Sequence, residues 1–486
     1  MDMARHEAAV PRKQKQQRQD SVRAIAPDLV RGLLMILMAI DHVTVMLRVY
    51  PHSTTDGSEE ADSTVVHGWN RALAYTLRTL SHLCGAGFPF LMGMGVVFSC
   101  ESRLGRLGWS AARLSRYLAV RAALLAIVVP VLMAVVLAPG RMWFFNMVLS
   151  ALGFGYLLAG LLCIGMRITE DKLASVLLRT WPAADENGDE GAAEPLLGRR
   201  EGQHSAWAQS VSWHAHNATL VMAGAVTIWW NVWFSPTSGH CDGDTAAAGS
   251  RGSPWFLRMW IWVVEERYAL STFPPLAWLS FAILGLLYGR VLAAGRCWSR
   301  RCLVAGYAAA SVVFAAIFVL TRVLRTGNLS EGCLQTPEHV VHPGRNPYLT
   351  SVESFFYVVK YPPDVAYWSL TMCGNLLLLA AFEAVPRRAA TSRYFTVLLD
   401  LGRSAFAFYV VHLFVLMAGA AVLLNFFGRD TGLPDPLEPG KTARGITSIP
   451  AFLAVIAATV LIMWPFCRWW ARFKAQRGAD SIWRLF

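Results

Sequence analysis

The chain has 486 residues, 55% of them hydrophobic and only 16% charged, with a formal net charge of +12 and a mean hydropathy of +0.39. A soluble globular chain carries about 25% charged residues, so this composition argues against cytosolic, disordered and collagen-like classes. Nineteen Trp and 25 Phe suit a protein set in lipid with aromatic belts, and the basic balance reads as loop asymmetry rather than nucleic-acid binding.

A membrane span needs ~20 mostly apolar residues to cross ~30 Å of hydrocarbon. Ten runs qualify in chain order: 29–49, 74–100, 118–138, 143–166, 214–234, 273–293, 302–322, 362–385, 403–427 and 448–468. The third is broken only by Pro130, and the fifth, rich in Trp229, Trp230 and Trp233, is the weakest. The expected fold is an all-α polytopic bundle of about ten helices. It has a basic tail at 1–28, a membrane domain at 29–470 with a flexible, Gly/Ala-rich insert at 168–212, and a second tail at 471–486. A basic polar stretch precedes the first apolar run, so no cleavable signal is expected. No internal repeat is visible.

Lys and Arg fix the sidedness. With a cytoplasmic amino terminus, the inner segments hold 26 of the 44 basic residues and the outer loops 11. Both termini are therefore expected in the cytoplasm. The sequon Asn328-Leu329-Ser330 falls outside and is expected to be glycosylated, whereas that at Asn217 lies at a span edge. Cys241 and Cys333 fall in outer loops, where oxidation is possible, and pairing stays open. The other seven cysteines read as packed thiols, with no ligand spacing for a metal.

Ionisable side chains within spans mark functional sites by default. The first span begins Asp28-Leu29-Val30-Arg31 and carries Asp41-His42 deeper in. Asp28 and Arg31 suit an i,i+3 pair, and Asp41 and His42 follow ~15 Å further on at ~1.5 Å per residue. Imidazole titrates near neutrality and a carboxylate can hold its tautomer, so Asp41 and His42 are candidates for acid/base chemistry. The alternative is a structural pair that joins helices. His82 and His412 lie at compatible depths and are candidate relay groups. Arg31 and Arg403 enter from the cytoplasmic face, where they suit phosphates or simply snorkel. Lys360 and Asp364 head the eighth span beside Pro362 and Pro363, available to substrate or explained by helix entry. His52 lies just beyond the first span and His67 in the same acidic outer loop.

Four blocks carry a family resemblance. The run from Asp28 to His42 resembles the opening helix of the heparan-α-glucosaminide N-acetyltransferase-like membrane family. The stretch His82 to Gly95, with Phe88-Pro89-Phe90-Leu91-Met92-Gly93, is similar to the next block. Val359-Lys360-Tyr361-Pro362-Pro363 with Leu370-Thr371 and Asn375-Leu376 is similar to a third, and Leu401-Gly402-Arg403-Ser404 through Phe408 to His412 to the penultimate helix. The resemblance implies acetyl transfer from cytoplasmic acetyl-CoA, a co-substrate, to an amino sugar or glycan on the lumenal or external side, without a metal, and a homodimer is a family-based possibility. It implies a histidine at the outer end of the first span as acetyl carrier or base, for which His52 is the nearest match. The Arg-Gly and intramembrane His spacing also resembles the acyltransferase-3 group, which favours His42. Lysosomal or vacuolar, other endomembrane and plasma-membrane locations remain open. A fold does not fix chemistry, so a proton-coupled transporter and an inactive sensor or scaffold stand as alternatives. Asp41→Asn is expected to lower activity more than stability.

Overall fold

Every apolar run of the sequence contributes a helix to the computed structural model. The structure describes residues 25–50, 70–137, 143–146, 148–181, 194–234, 255–262, 264–266, 268–271, 273–294, 299–330, 341–342, 344–360, 362–434, 442–478 and 481. The long helices are α1 (Ile25–Met46), α2 (Arg71–Cys100), α3 (Ala111–Ala123), α4 (Val129–Leu137), α5 (Leu149–Thr180) and α6 (Glu194–Trp233). They are followed by α7 (Leu279–Ala294), α8 (Arg300–Leu324), α9 (Val365–Ala384), α10 (Thr396–Arg403), α11 (Ala405–Phe427) and α12 (Ile449–Ala475). A π-helical stretch, Leu124–Val128, joins α3 to α4.

Among the described residues, eight helices are long and apolar enough to cross a membrane. The chain is therefore an all-α, multi-pass membrane bundle. The predicted spans 214–234 and 273–293 are the two that fall short. The first belongs to α6, which has 40 residues but is interrupted by polar groups; the second shortens to the 16 residues of α7. Most of α7 is buried inside the bundle, packed on α2, α5 and α6.

Side-chain caps start the helices where expected. Asn70 accepts from the Leu73 N–H, Ser110 from Arg113, Ser299 from Cys302 and Asp364 from Tyr367. Pro130 has no N–H to give to the carbonyl four residues back. That carbonyl, of Ala126, instead accepts from the Ser150 hydroxyl of α5 at 2.8 Å. The break therefore lies where α5 can satisfy it.

Two glycine contacts set the helix spacing, since small residues let backbones approach. A Cβ on Gly32 of α1 would lie 2.0 Å from the Leu398 carbonyl of α10, and one on Gly402 would lie 1.9 Å from the Asp28 carbonyl. Gly93 of α2 and Gly285 of α7 are equally tight against the Ala282 and Phe90 carbonyls.

Two small sheets flank the helices. In the first, β1 (Phe144–Asn146) pairs in parallel with β3 (Ala269–Ser271), and β2 (Val264–Glu266) pairs with β3 antiparallel. In the second, β4 (Arg429–Pro434) and β5 (Thr442–Gly445) form an antiparallel hairpin.

Two expectations are corrected. Residues 168–180 continue α5 and 194–212 open α6, so much of the expected flexible insert is helical, while 182–193 lie outside the described residues. The two helices are fastened by polar contacts: Ser212 donates to the Glu170 carbonyl at 2.9 Å, and Thr169 meets His216 at 2.8 Å. Asn328 is not an open sequon. It is 4% exposed, its amide nitrogen donates to the Thr321 carbonyl, and its oxygen accepts from Arg322. Cys241, Cys333, His52 and His67 lie outside the described residues. Cys84, Cys100, Cys163, Cys302, Cys373 and Cys467 are free thiols.

Candidate active site

The contact between α1 and α10 sets the register of the site. Gly32 and Gly402 meet at the crossing, and His42 and His412 each lie ten residues further along their chains. The path from Gly402 to His412 passes through the break at Ser404, whose hydroxyl donates to the Cys467 carbonyl of α12 at 2.8 Å. Ten residues of helix rise ~15 Å. The crossing thus delivers the two imidazoles to the same depth.

They meet there. His42 Nδ1 lies 2.8 Å from His412 Nε2, and the rings stack with centroids 5.0 Å apart and planes 10° apart. His412 Nδ1 lies 2.9 Å from the Phe408 carbonyl. A carbonyl only accepts, so His412 must carry its proton on Nδ1, which leaves Nε2 as an acceptor when the ring is neutral. His42 therefore donates from Nδ1, and its own basic lone pair falls on Nε2. This assigns both tautomers from one backbone oxygen. His412 is fully buried, with Phe408 stacked on it and Tyr409 at its edge, whereas His42 is half-buried.

Asp41, the expected orienting group, is not joined to the His42 ring among the described residues. Its carboxylate makes no hydrogen bond among the described residues, and its backbone carbonyl accepts from the Thr44 hydroxyl at 2.6 Å. The group beside His42 is an imidazole from another helix. His82 lies apart from this pair, 4% exposed and edge-on to Tyr367 at 5.5 Å. Its carbonyl accepts from the Tyr367 hydroxyl, and Asn375 donates to the Leu83 carbonyl.

Arg31 and Asp28 form the expected i,i+3 pair at 2.9 Å. Gly402, at the Asp28 carbonyl, places Arg403 at the same crossing. The two arginines thus flank one α1–α10 contact, about ten residues below the imidazole pair. Arg403 Nε is buried with no hydrogen-bond acceptor among the described residues, and the Arg403 carbonyl accepts from Lys474.

Lys360 and Asp364 stand in a separate buried cluster at the head of α9. One Asp364 oxygen accepts from the Tyr367 N–H at 2.6 Å and the other from the Leu329 N–H at 3.0 Å. Capping a helix and fastening a loop thereby occupy the carboxylate. Lys360 is 7% exposed, with its ammonium 5.9 Å from the Phe273 ring centre.

Two charged groups were not singled out from the sequence. Arg322 is fully buried, donating to Asn328 and to the Tyr357 carbonyl, and stacked against Phe318 and Tyr348. Arg290 pairs with Glu170 and donates from Nε to Asn217 at 2.9 Å. Their signal was a charged residue inside an apolar run, the same one that singled out Asp41. Compared with known proteins, the chain matches no family model and no curated protein sequence.

Proposed function

We propose that the protein is a multi-pass membrane acyltransferase that moves an acetyl group from acetyl-CoA to an amine or hydroxyl of a glycan or other small acceptor across the membrane. The observation that carries this reading is the His42–His412 contact, in which one imidazole fixes the tautomer of the other. Holding a base in one tautomer is what general-base catalysis requires. His42 Nε2 takes the proton of the acceptor as the acceptor attacks the thioester carbonyl. The tetrahedral intermediate then expels CoA as a thiolate, which recovers the proton from His42. Transient acetylation of the same nitrogen is the covalent variant. Arg31 and Arg403, one crossing below, suit the phosphates of the donor as arginine forks do. An extended pantetheine arm covers the distance from there to the imidazoles.

The same reading takes ten crossings, with both termini in the cytoplasm. Support comes from β1–β3 pairing, which brings the segment after α6 beside the segment between α4 and α5. Midway along α6, Asn217 accepts from Arg290, which also pairs with Glu170. Asn231, 14 residues on, donates to the Ala277 and Pro363 carbonyls, so α6 extends ~20 Å between these two anchors.

CoA release from acetyl-CoA by the purified full-length chain, with glucosamine as acceptor, tests the reading. The expected result is release that falls at least 100-fold in His42→Ala while the variant keeps its melting temperature. Release that is absent, or indifferent to His42, rejects it. Proton flux without thioester cleavage would favour the transporter, in which the two imidazoles pass protons along a path.

A further inference from the structure

A cleft opens beside the first turns of α3. It has a volume of about 530 Å³ and is lined by Trp109, Ala112, Arg113, Arg116, Tyr117, Val120 and Ser481. Ser481 places it at the end of the molecule that holds the C-terminal segment. The lining has two characters. One part is basic: Arg113 lies over the Trp109 ring at 4.5 Å, and Arg103, behind the lining, lies over both Trp109, at 5.2 Å, and Tyr117, at 4.2 Å. Arg116 is exposed and has no hydrogen-bond or acidic partner among the described residues. Arg103 Nε is buried without an acceptor there. Glu101 is two residues from Arg103, and Asp480, which precedes Ser481, lies outside the described residues.

The other part is hydrocarbon. Val120 is 51% exposed, and beyond it the same span exposes Ile127, Val128, Val131, Leu132 and Val135. That surface belongs to a helix long and apolar enough to face lipid. A ligand that fits must be anionic at one end and apolar at the other.

We propose that this cleft binds an anionic phospholipid, its phosphate between Arg113 and Arg116 and its acyl chains along Val120 and the exposed face beyond. Guanidinium forks match phosphate oxygens in pairs, and basic pockets between spans take acidic headgroups. Arginines that merely snorkel need no cavity; here two of them line one, floored by Trp109 and Tyr117. The site is independent of the acetyl-transfer reading, since no residue is shared with the His42 region.

The test is native mass spectrometry of the full-length chain in detergent, titrated with dioctanoyl phosphatidate, dioctanoyl phosphatidylcholine and adenosine 3′,5′-bisphosphate. Phosphatidate should bind at least tenfold more tightly than phosphatidylcholine. The double variant Arg113→Gln/Arg116→Gln should remove that preference, and Ala112→Trp, which fills the cleft and keeps both arginines, should weaken phosphatidate binding at least tenfold. Both changes are at exposed positions, and an unchanged melting temperature verifies folding. Equal binding of the two lipids overturns the proposal, as does binding that Ala112→Trp leaves intact. Bisphosphate that displaces phosphatidate at equal concentration overturns it in favour of a soluble nucleotide site.

Discussion

A histidine is a useful base only if it is known which nitrogen holds the proton. In this protein the Phe408 carbonyl settles that for His412, and His412 settles it for His42. Removing His412 takes away the contact that assigns the His42 tautomer. On the proposed chemistry, His412→Ala lowers kcat for acetyl transfer about 10²–10³-fold, within the range general-base catalysis contributes. KM for acetyl-CoA should hold within about twofold, because Arg31 and Arg403 are untouched. Asp41→Asn should cost far less, since the carboxylate makes no hydrogen bond to either ring. Steady-state kinetics on the three proteins checks the order; an Asp41 variant as impaired as His412→Ala would return the orienting role to the carboxylate. The sequence made these histidines legible as intramembrane polar groups but not as a pair. Adjacency of Asp41 and His42 in sequence suggested a pair, yet neighbours on a helix point about 100° apart, and the group that meets His42 is His412. The better signal was the equal ten-residue offset from Gly32 and Gly402, which means something only once those glycines are known to touch.

At the scale of elements, backbone-to-backbone contact determines what the site can tolerate. A Cβ on Gly402 would have to occupy the Asp28 carbonyl oxygen, so α10 must retreat from α1. Gly402→Ala is expected to destabilise the bundle by about 1–3 kcal/mol, the usual cost of overpacking. The retreat should also separate the imidazoles and lower activity beyond what the lost stability explains. Thermal unfolding in detergent alongside activity at a temperature where both proteins are folded separates the two effects. A different element, the turn after α8, carries the sequon that the chain puts to another use. Asn328→Ala leaves the buried Arg322 guanidinium without one of its acceptors, a loss of about 1.5–3 kcal/mol for a hydrogen bond to a charged group. Migration of the wild-type protein should be unchanged by glycosidase. Helix starts and apolar runs were readable because capping and hydropathy are local. The α5–α6 extension was not. Among the described residues its faces bury small side chains such as Ala174 and Ala208, and its polar contacts look like loop composition until the two helices lie side by side.

For the whole molecule, what matters is whether the α6–α7 pair crosses the membrane. Sidedness of everything downstream is indifferent to the answer, since two crossings or none return the chain to the same face. Positive-inside counting therefore cannot detect an error here, and only the segment between the two helices reports it. Tyr268 lies in that segment, 49% exposed, beside the strands that join it to β1. Its backbone carbonyl accepts from Trp143, so a side-chain replacement keeps the pairing. In a Cys241→Ser/Cys333→Ser background, Tyr268→Cys should react with an impermeant maleimide on sealed vesicles whose C-terminal tag resists protease. The exposed thiol of Cys302, at the start of α8, should react only after permeabilisation. If both thiols stay protected until the membrane is opened, α6 and α7 do not cross, and the donor and acceptor faces of the proposed reaction must be sought among eight spans instead of ten.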